Sequence, residues 1–190
     1  MENEKDIETV DASLRFQDSL PITSDELLDK LDNWEIEYKL YSHKPLRTVS
    51  ESKDVQNQFL QTSEGGGHIK NLYLRDHKKQ NILLVTEQDR KIDLKVLKTK
   101  LATGRLSFGS AERLLENLGV RPGAVTPLSM ITGIKKGVTL FIESELKHSS
   151  YIYAHPLVND RTIGITIPAL KQFFEKINVD INWIDLDDLS

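Results

Sequence analysis

The sequence predicts an α+β domain built on a mixed sheet. Segments that alternate with period two lie among segments of helical period. The two kinds do not follow one another as regular βαβ units, which argues against a purely parallel sheet. The chain has 190 residues, 38% hydrophobic and 28% charged, as one soluble globular domain requires.

Residues 1–20 are acidic with little periodicity and read as a mobile tail, leaving 21–190 as the single domain. Thr23 and Glu26 fit a capping box, the hydroxyl accepting from the third amide and the carboxylate reaching back. Leu27, Leu28, Leu31 and Trp34 then share a helical face. Residues 35–42 alternate, with Ile36, Tyr38 and Leu40 on one side, and His43-Lys44-Pro45 ends that strand. Residues 49–61 suit a short helix, and Gly65-Gly66-Gly67 a flexible turn. Residues 71–75 and 81–86 form a hairpin whose tip, Asp76-His77-Lys78-Lys79-Gln80, is basic. Leu94, Leu97 and Leu101 mark a further amphipathic helix. Ser110 caps another over residues 111–118, which Gly119 ends. Residues 123–127 are a loop with a short helix after it. Val138, Leu140 and Ile142 predict a strand, as do residues 151–154 and 162–167. Pro168 opens the last helix at a first-turn position, with Leu170, Phe173, Phe174 and Ile177 inward, before a final strand over 181–186.

Composition narrows the chemistry. The absence of cysteine removes disulfides, thiolate catalysis and cysteine-ligated zinc, and suits a reducing cytoplasm. No apolar run approaches the roughly 18 residues of a membrane span. The opening residues lack the basic and apolar blocks of a secretory signal. A cytoplasmic protein without a membrane partner is expected. The net charge of −4 conceals an asymmetry. Residues 1–37 carry twelve acids and three bases, whereas residues 65–105 carry ten bases and four acids. A basic middle can serve a polyanion; composition alone favours a solvated, lysine-rich hairpin and helix.

Familiar catalytic motifs are missing. The glycine triplet lacks GxGxxG, and nothing resembles a phosphate loop. His43, His68, His77, His148 and His155 show no HExxH spacing, so no metal is expected. No GxSxG elbow offers a serine nucleophile.

Three local patterns remain. The first runs from His68 through Lys70 and Asn71 to Asp76. The second is Asp93-Leu94-Lys95, then Arg105-Leu106-Ser107-Phe108, then Leu118-Gly119-Val120-Arg121-Pro122-Gly123-Ala124-Val125-Thr126-Pro127. The third is His155-Pro156-Leu157-Val158-Asn159-Asp160-Arg161-Thr162. Each is weak alone. In this order they resemble the YbaK-like editing domains associated with prolyl-tRNA synthetase, most closely the free-standing Ala-tRNA(Pro) deacylases, over residues 22–187.

The resemblance implies a YbaK-like mixed, strongly curved sheet with flanking helices. It implies hydrolysis of the ester joining an amino acid to the terminal ribose of tRNA, with no cofactor. Lys70, on position alone a surface lysine at a strand start, matches a lysine facing the tRNA 3′ end, where an ammonium acts as a point charge. Asn71, otherwise a strand-end hydrogen bond, matches a residue that contacts the aminoacyl group. Residues 123–127 match a GxxxP loop, although the bare motif also fits an ordinary connection. Its glycine permits close approach of the backbone, and the amides of Gly123, Ala124 and Val125 would polarise the ester carbonyl. Thr126 and Pro127 would meet substrate. His155, which Pro156 biases to an extended backbone, matches a site histidine that sizes the pocket, holds substrate or orients water; the plain alternative is a strand-end histidine. Asn159 and Thr162 would support that corner, and Ser107 and Phe108 would pack beneath it. The charge of the basic segment, apart from the resemblance, points Lys78, Lys79, Lys95 and Lys98 to the tRNA acceptor stem.

Without a conventional nucleophile, the neighbouring ribose hydroxyl of the substrate would orient the attacking water. Specificity would be steric, because a synthetase pocket built for Pro excludes the smaller Ala by only about 1–3 kcal/mol. The expected partner is the acceptor end of tRNA(Pro) carrying Ala, with transient contacts to prolyl-tRNA synthetase or an elongation factor. Two alternatives stay open: a Cys-tRNA(Pro) deacylase, and a non-catalytic module that binds a tRNA end or a protein. One departure from the family is Lys44-Pro45-Leu46-Arg47-Thr48, where relatives carry an apolar or aromatic pair before Thr.

Overall fold

The computed structural model describes residues 9–46 and 49–187. Its helices are α1 (Ser24–Asn33), α2 (Val49–Gln56), α3 (Leu94–Lys100), α4 (Ala111–Leu118), α5 (Met130–Gly133) and α6 (Ile167–Lys176). Its strands are β1 (Lys39–Ser42), β2 (Gly66–Asp76), β3 (Asn81–Glu87), β4 (Leu106–Phe108), β5 (Thr139–Glu143), β6 (Tyr151–Ala154), β7 (Arg161–Thr166) and β8 (Asn182–Ile184). The sheet is mixed and runs β1-β7-β6-β2-β3-β5-β8, with β4 also on β2.

Eleven residues long, β2 reaches from one half of the sheet to the other. Along one edge it pairs antiparallel with β3 over residues 69–75. Its other edge is divided. There β6 runs parallel to residues 66–68, and β4 antiparallel to residues 74–76. Among the described residues no strand flanks 69–73 on that edge, so the sheet forks. The glycines at the fork's root are needed for space. A Cβ on Gly66 would collide with the carbonyl of Leu60, and one on Gly67 would lie 2.8 Å from the carbonyl of Tyr151. The expected flexible turn over 65–67 is therefore mostly strand; only Gly65, at φ 94°, turns.

Strand alternation divides β3 between two cores. Leu83 and Val85 join Leu140, Ile142, Ile165 and the α6 residues Phe173 and Phe174 in the larger cluster. Ile82 and Leu84 meet Leu97, Leu101, Leu106 and Leu186 on the opposite face. Each such side chain contributes about 1.5–3 kcal/mol when fully buried. The helix boundaries follow their caps: Thr23 accepts from the Glu26 amide at 3.0 Å, Ser110 from Arg113, and Thr166 from Ala169 ahead of Pro168.

Three expectations need correction. The strand read over 35–42 begins only at Lys39, because Glu35 takes φ 57° to end α1 and turns Ile36 into the core. β4 was not anticipated; three residues are too few for a visible alternation. Residues 12–20, read as part of a mobile tail, pack against the domain. Ala12 accepts from the Asn159 amide at 2.8 Å, the Leu14 amide donates to Asp160 Oδ1 at 2.8 Å, and Leu14–Ser19 forms a 3-10 turn. Met1 to Glu8 of that expected tail lie outside the described residues, as do Arg47 and Thr48.

Candidate active site

The fork in β2 opens onto a small cavity of about 90 Å³. Asn71 and Ile69 reach it from the unflanked stretch of β2, Ala154 and His155 from the end of β6, Thr162 from β7, and Val55 and Gln56 from α2. Phe59 and Tyr153 form an aromatic wall, stacked at 4.3 Å between centroids, with His68 continuing the stack at 5.3 Å from Tyr153.

The loop from β6 to β7 sets the histidine. Pro156 keeps His155 extended, and Leu157 takes φ 69°, a left-handed conformation uncommon for a residue with a side chain. The loop is fixed from several sides: Leu157 is buried, Asn159 is held by Ala12 and Leu46, and Arg161 pairs with Asp25 on α1 at 2.6 Å. Within this frame His155 Nδ1 lies 2.7 Å from the carbonyl oxygen of Arg161. A carbonyl only accepts, so Nδ1 carries the proton and Nε2 presents a lone pair. Desolvation lowers the His155 pKa and keeps the ring neutral; the neighbouring His43 acts the same way.

His43 stands 6.2 Å from His155 between ring centroids. Its Nδ1 donates to the Lys44 carbonyl at 2.8 Å, and its Nε2 shares a hydrogen bond of 2.8 Å with the Thr162 hydroxyl. Asn71 is pinned likewise: Nδ2 donates to the Val125 carbonyl at 2.9 Å, while Oδ1 is buried without a partner.

That bond brings the 123–127 loop to the cavity's side. Gly123 has φ 94°, which only glycine adopts easily. The Ala124 amide donates to Arg121 at 3.0 Å and so is not available to a substrate. The amides of Gly123 and Val125 donate to no group among the described residues. Thr126 and Pro127 are buried, Thr126 capping the turn at Pro127–Ser129, so they shape the loop from behind. A second cavity of about 450 Å³ adjoins the first through Leu46 and is lined by Arg121, Gly123 and Asn159, whose Oδ1 is also buried without a partner.

The structure thus gathers Asn71, His155 and Thr162 at one cavity, and Gly123 and Asn159 at the next. Lys70 does not line either. It is half-buried, and its Nζ donates to the carbonyl of Arg90. Lys78 and Lys79 are exposed at the hairpin tip, about 17 Å along β2 from Asn71 at roughly 3.3 Å per residue. Lys95 is exposed on α3. Ser107 and Phe108 do not pack beneath the site: β4 lies on the far half of β2, and Phe108 is 63% exposed. Sequence reading missed His43, Phe59 and Tyr153 as site residues. Only the β1–β7 register, Tyr41 opposite Thr162, brings His43 to its partner 119 residues away.

A larger cleft of about 690 Å³ lies elsewhere, lined by Asp32, Glu35, Glu37 and Tyr38 among others. Its acids give it the wrong sign for a nucleic acid.

The model of the family described as aminoacyl-tRNA editing domain matches residues 43–173. The prolyl-tRNA editing protein ProX of Acetoanaerobium sticklandii is 32% identical over 147 residues, covering 77% of this chain and 87% of the relative. The prolyl-tRNA synthetase associated domain-containing protein 1 of Danio rerio is 33% identical over 153 residues, 80% of each chain. Among solved structures, a candidate trans-editing enzyme for prolyl tRNA synthetase superposes with a TM-score of 0.61 at 16% identity, covering 85% of this chain and 96% of that one. The hypothetical protein APE2540 gives 0.63 at 14% identity, covering 83% and 97%. The two structures are alike in fold.

Proposed function

The chain belongs to the aminoacyl-tRNA editing domain family, and we propose that it is a free-standing deacylase that removes Ala mis-attached to tRNA(Pro). The observation that carries the Ala reading is pocket size. A small cavity of about 90 Å³, walled by Phe59, Ile69 and Tyr153, gives a short side chain an apolar seat.

In this reading the alanyl group enters the small cavity and the terminal ribose lies over the adjoining cleft at Gly123. A water oxygen attacks the ester carbonyl carbon, oriented by the substrate's own neighbouring hydroxyl. The bond to the ribose oxygen breaks, and that oxygen takes up a proton. The amides of Gly123 and Val125, unpaired among the described residues, stabilise the oxyanion, a contribution of about 3–4 kcal/mol for such donors. Proximity supplies about 7–11 kcal/mol when the geometry is good. Lys70, whose Nζ donates to the Arg90 carbonyl and which lines neither cavity, acts in this reading on the tRNA backbone beyond the pocket. Lys78, Lys79 and Lys95 act further out, on the acceptor stem. In this reading the editing domain takes in the packed stretch at 12–20 and runs onward from it.

The test is single-turnover deacylation of Ala-, Cys-, Ser- and Pro-tRNA(Pro). Ala is released fastest and Pro slowest if the reading holds. A preference for Cys would reassign the substrate, and binding without turnover would make the chain a tRNA-binding module.

A further inference from the structure

The direction of the His155 lone pair is set outside the cavity. The Arg161 carbonyl takes the Nδ1 proton, so its position decides where Nε2 points. Residues 10–20 form a strap that reaches this carbonyl directly and through α1. On the direct route the Asn159 amide donates to the Ala12 carbonyl at 2.8 Å, and the Leu14 amide donates to Asp160 Oδ1 at 2.8 Å. On the other, Gln17 Nε2 donates to Asp25 Oδ2 at 2.8 Å and Gln17 Oε1 accepts from the Asp25 amide at 3.1 Å. Asp25 Oδ1 then accepts from the Arg161 guanidinium at 2.6 Å. The strap is itself seated: Ala12, Ser13 and Leu20 are buried, and Asp11 Oδ1 accepts from the Ser13 amide at 2.9 Å. Val10, Asp11 and Ala12 also line the cleft that holds Arg121 and Gly123. Leu157, at φ 69°, needs such support, because a left-handed residue persists only where its surroundings hold it. All of the strap precedes residue 43, where the match to the family model starts.

We infer that the strap is a working part of the active site: it fixes the Arg161 carbonyl and so aims His155 Nε2, with Asp160 and Gln17 as positioning residues. Neither residue lines the small cavity or the cleft, so both act through the loop and not on substrate. The bond from Leu14 to the Asp160 carboxylate is the charge-assisted member of the set and the strongest single tie. A neutral imidazole offers one lone pair, and a small rotation of the ring takes it off its target. That this costs catalysis rests on the deacylase reading; the bonds of the strap do not.

The test compares the native chain with Asp160→Ala, Asp160→Asn and Gln17→Ala. The substrate is whichever of Ala-, Cys-, Ser- and Pro-tRNA(Pro) the native chain releases fastest. Single-turnover rates are read over a range of protein concentrations, with folding followed by circular dichroism. Asp160→Ala removes the acceptor for Leu14. Its rate at saturation should fall about tenfold, with the half-saturating concentration within about twofold of native, because a misplaced group slows the chemistry and not the encounter. Asp160→Asn keeps an oxygen that can accept from Leu14 and should recover most of the rate. Gln17→Ala should lower the same rate about threefold, and it decides the matter if Asp160→Ala does not fold. A native rate at saturation in the folded variant, or a defect confined to the half-saturating concentration, overturns the inference. So does an Asp160→Asn as slow as Asp160→Ala, which would assign the effect to the lost charge. No release of any amino acid by the native chain removes the deacylase reading and the inference together. Native turnover with unaffected variants removes the inference alone.

Discussion

At the hairpin end of β2 the polar side chains have partners. Tyr73 donates to Asn81 at 2.8 Å and accepts from Asn117 at 3.1 Å, while Asp76 accepts from the amides of Lys78 and Gln80 at 2.9 and 2.8 Å. At the forked end of the same strand, Asn71 Oδ1 is buried with none, and Asn159 Oδ1 across the loop is in the same state. Each such vacancy costs about 1–3 kcal/mol. One strand therefore serves two purposes. Its hairpin end spends polar groups on stability, and in the proposed reading its forked end holds them for a ligand.

The largest effects should fall at the forked end. Lys70→Ala should lower kcat/KM by the equivalent of about 2–5 kcal/mol, the usual cost of losing a charge-assisted contact. Asn71→Leu should lower it by about 30- to 1,000-fold. Its stability should stay within about 1 kcal/mol, because removing an unpaired acceptor offsets the bond lost to Val125. Urea unfolding beside single-turnover kinetics reads both. A severely destabilised Asn71→Leu with normal turnover would erase the contrast between the two ends.

Next is pH. Burial lowers the His155 pKa from its ordinary value of 6.5. The unfolded chain then takes up the proton first as pH falls. The contribution of neutral His155 is complete above about pH 6.5 and is lost as pH drops through its lower folded value. Urea midpoints at pH 7 and pH 5 should differ more in the native chain than in His155→Gln. Turnover should fall on the same acid side, as Nε2 stops accepting. A stability difference unchanged by the substitution would place its origin elsewhere.

Smaller changes belong to the hairpin end. Lys78→Glu with Lys79→Glu should raise apparent KM and leave the chemical step nearly intact, with the defect shrinking as salt rises. Unchanged concentration dependence would put the tRNA on another face. Tyr73→Phe should cost about 0.5–1.5 kcal/mol of stability and nothing in kcat/KM.

Local signals were the legible part of the sequence. The Thr23–Glu26 box, the Ser110 and Gly119 ends of α4 and the basic hairpin each depend on residues a few positions apart, and each stands where its chemistry placed it. Asn71, His155 and Thr162 were named from motifs and meet at one cavity. What stayed hidden depends on long-range pairing. The fork arises because β6 and β4 share one edge of β2, and no local pattern encodes that. Ala124 looked free until its amide was seen to close a turn onto Arg121. Lys70 looked exposed until its partner at Arg90, twenty residues on, was in place.

The central claim is that the forked end of β2 receives the alanyl group. The most direct measurement is a crystal structure with 3′-alanylamido-3′-deoxyadenosine bound. The account predicts the alanyl amine within hydrogen-bond distance of Asn71 Oδ1, the methyl toward Phe59 and Ile69, and the ribose beside Gly123. The alanyl group in the cleft at Asp32 and Tyr38, or against the hairpin tip, would contradict it.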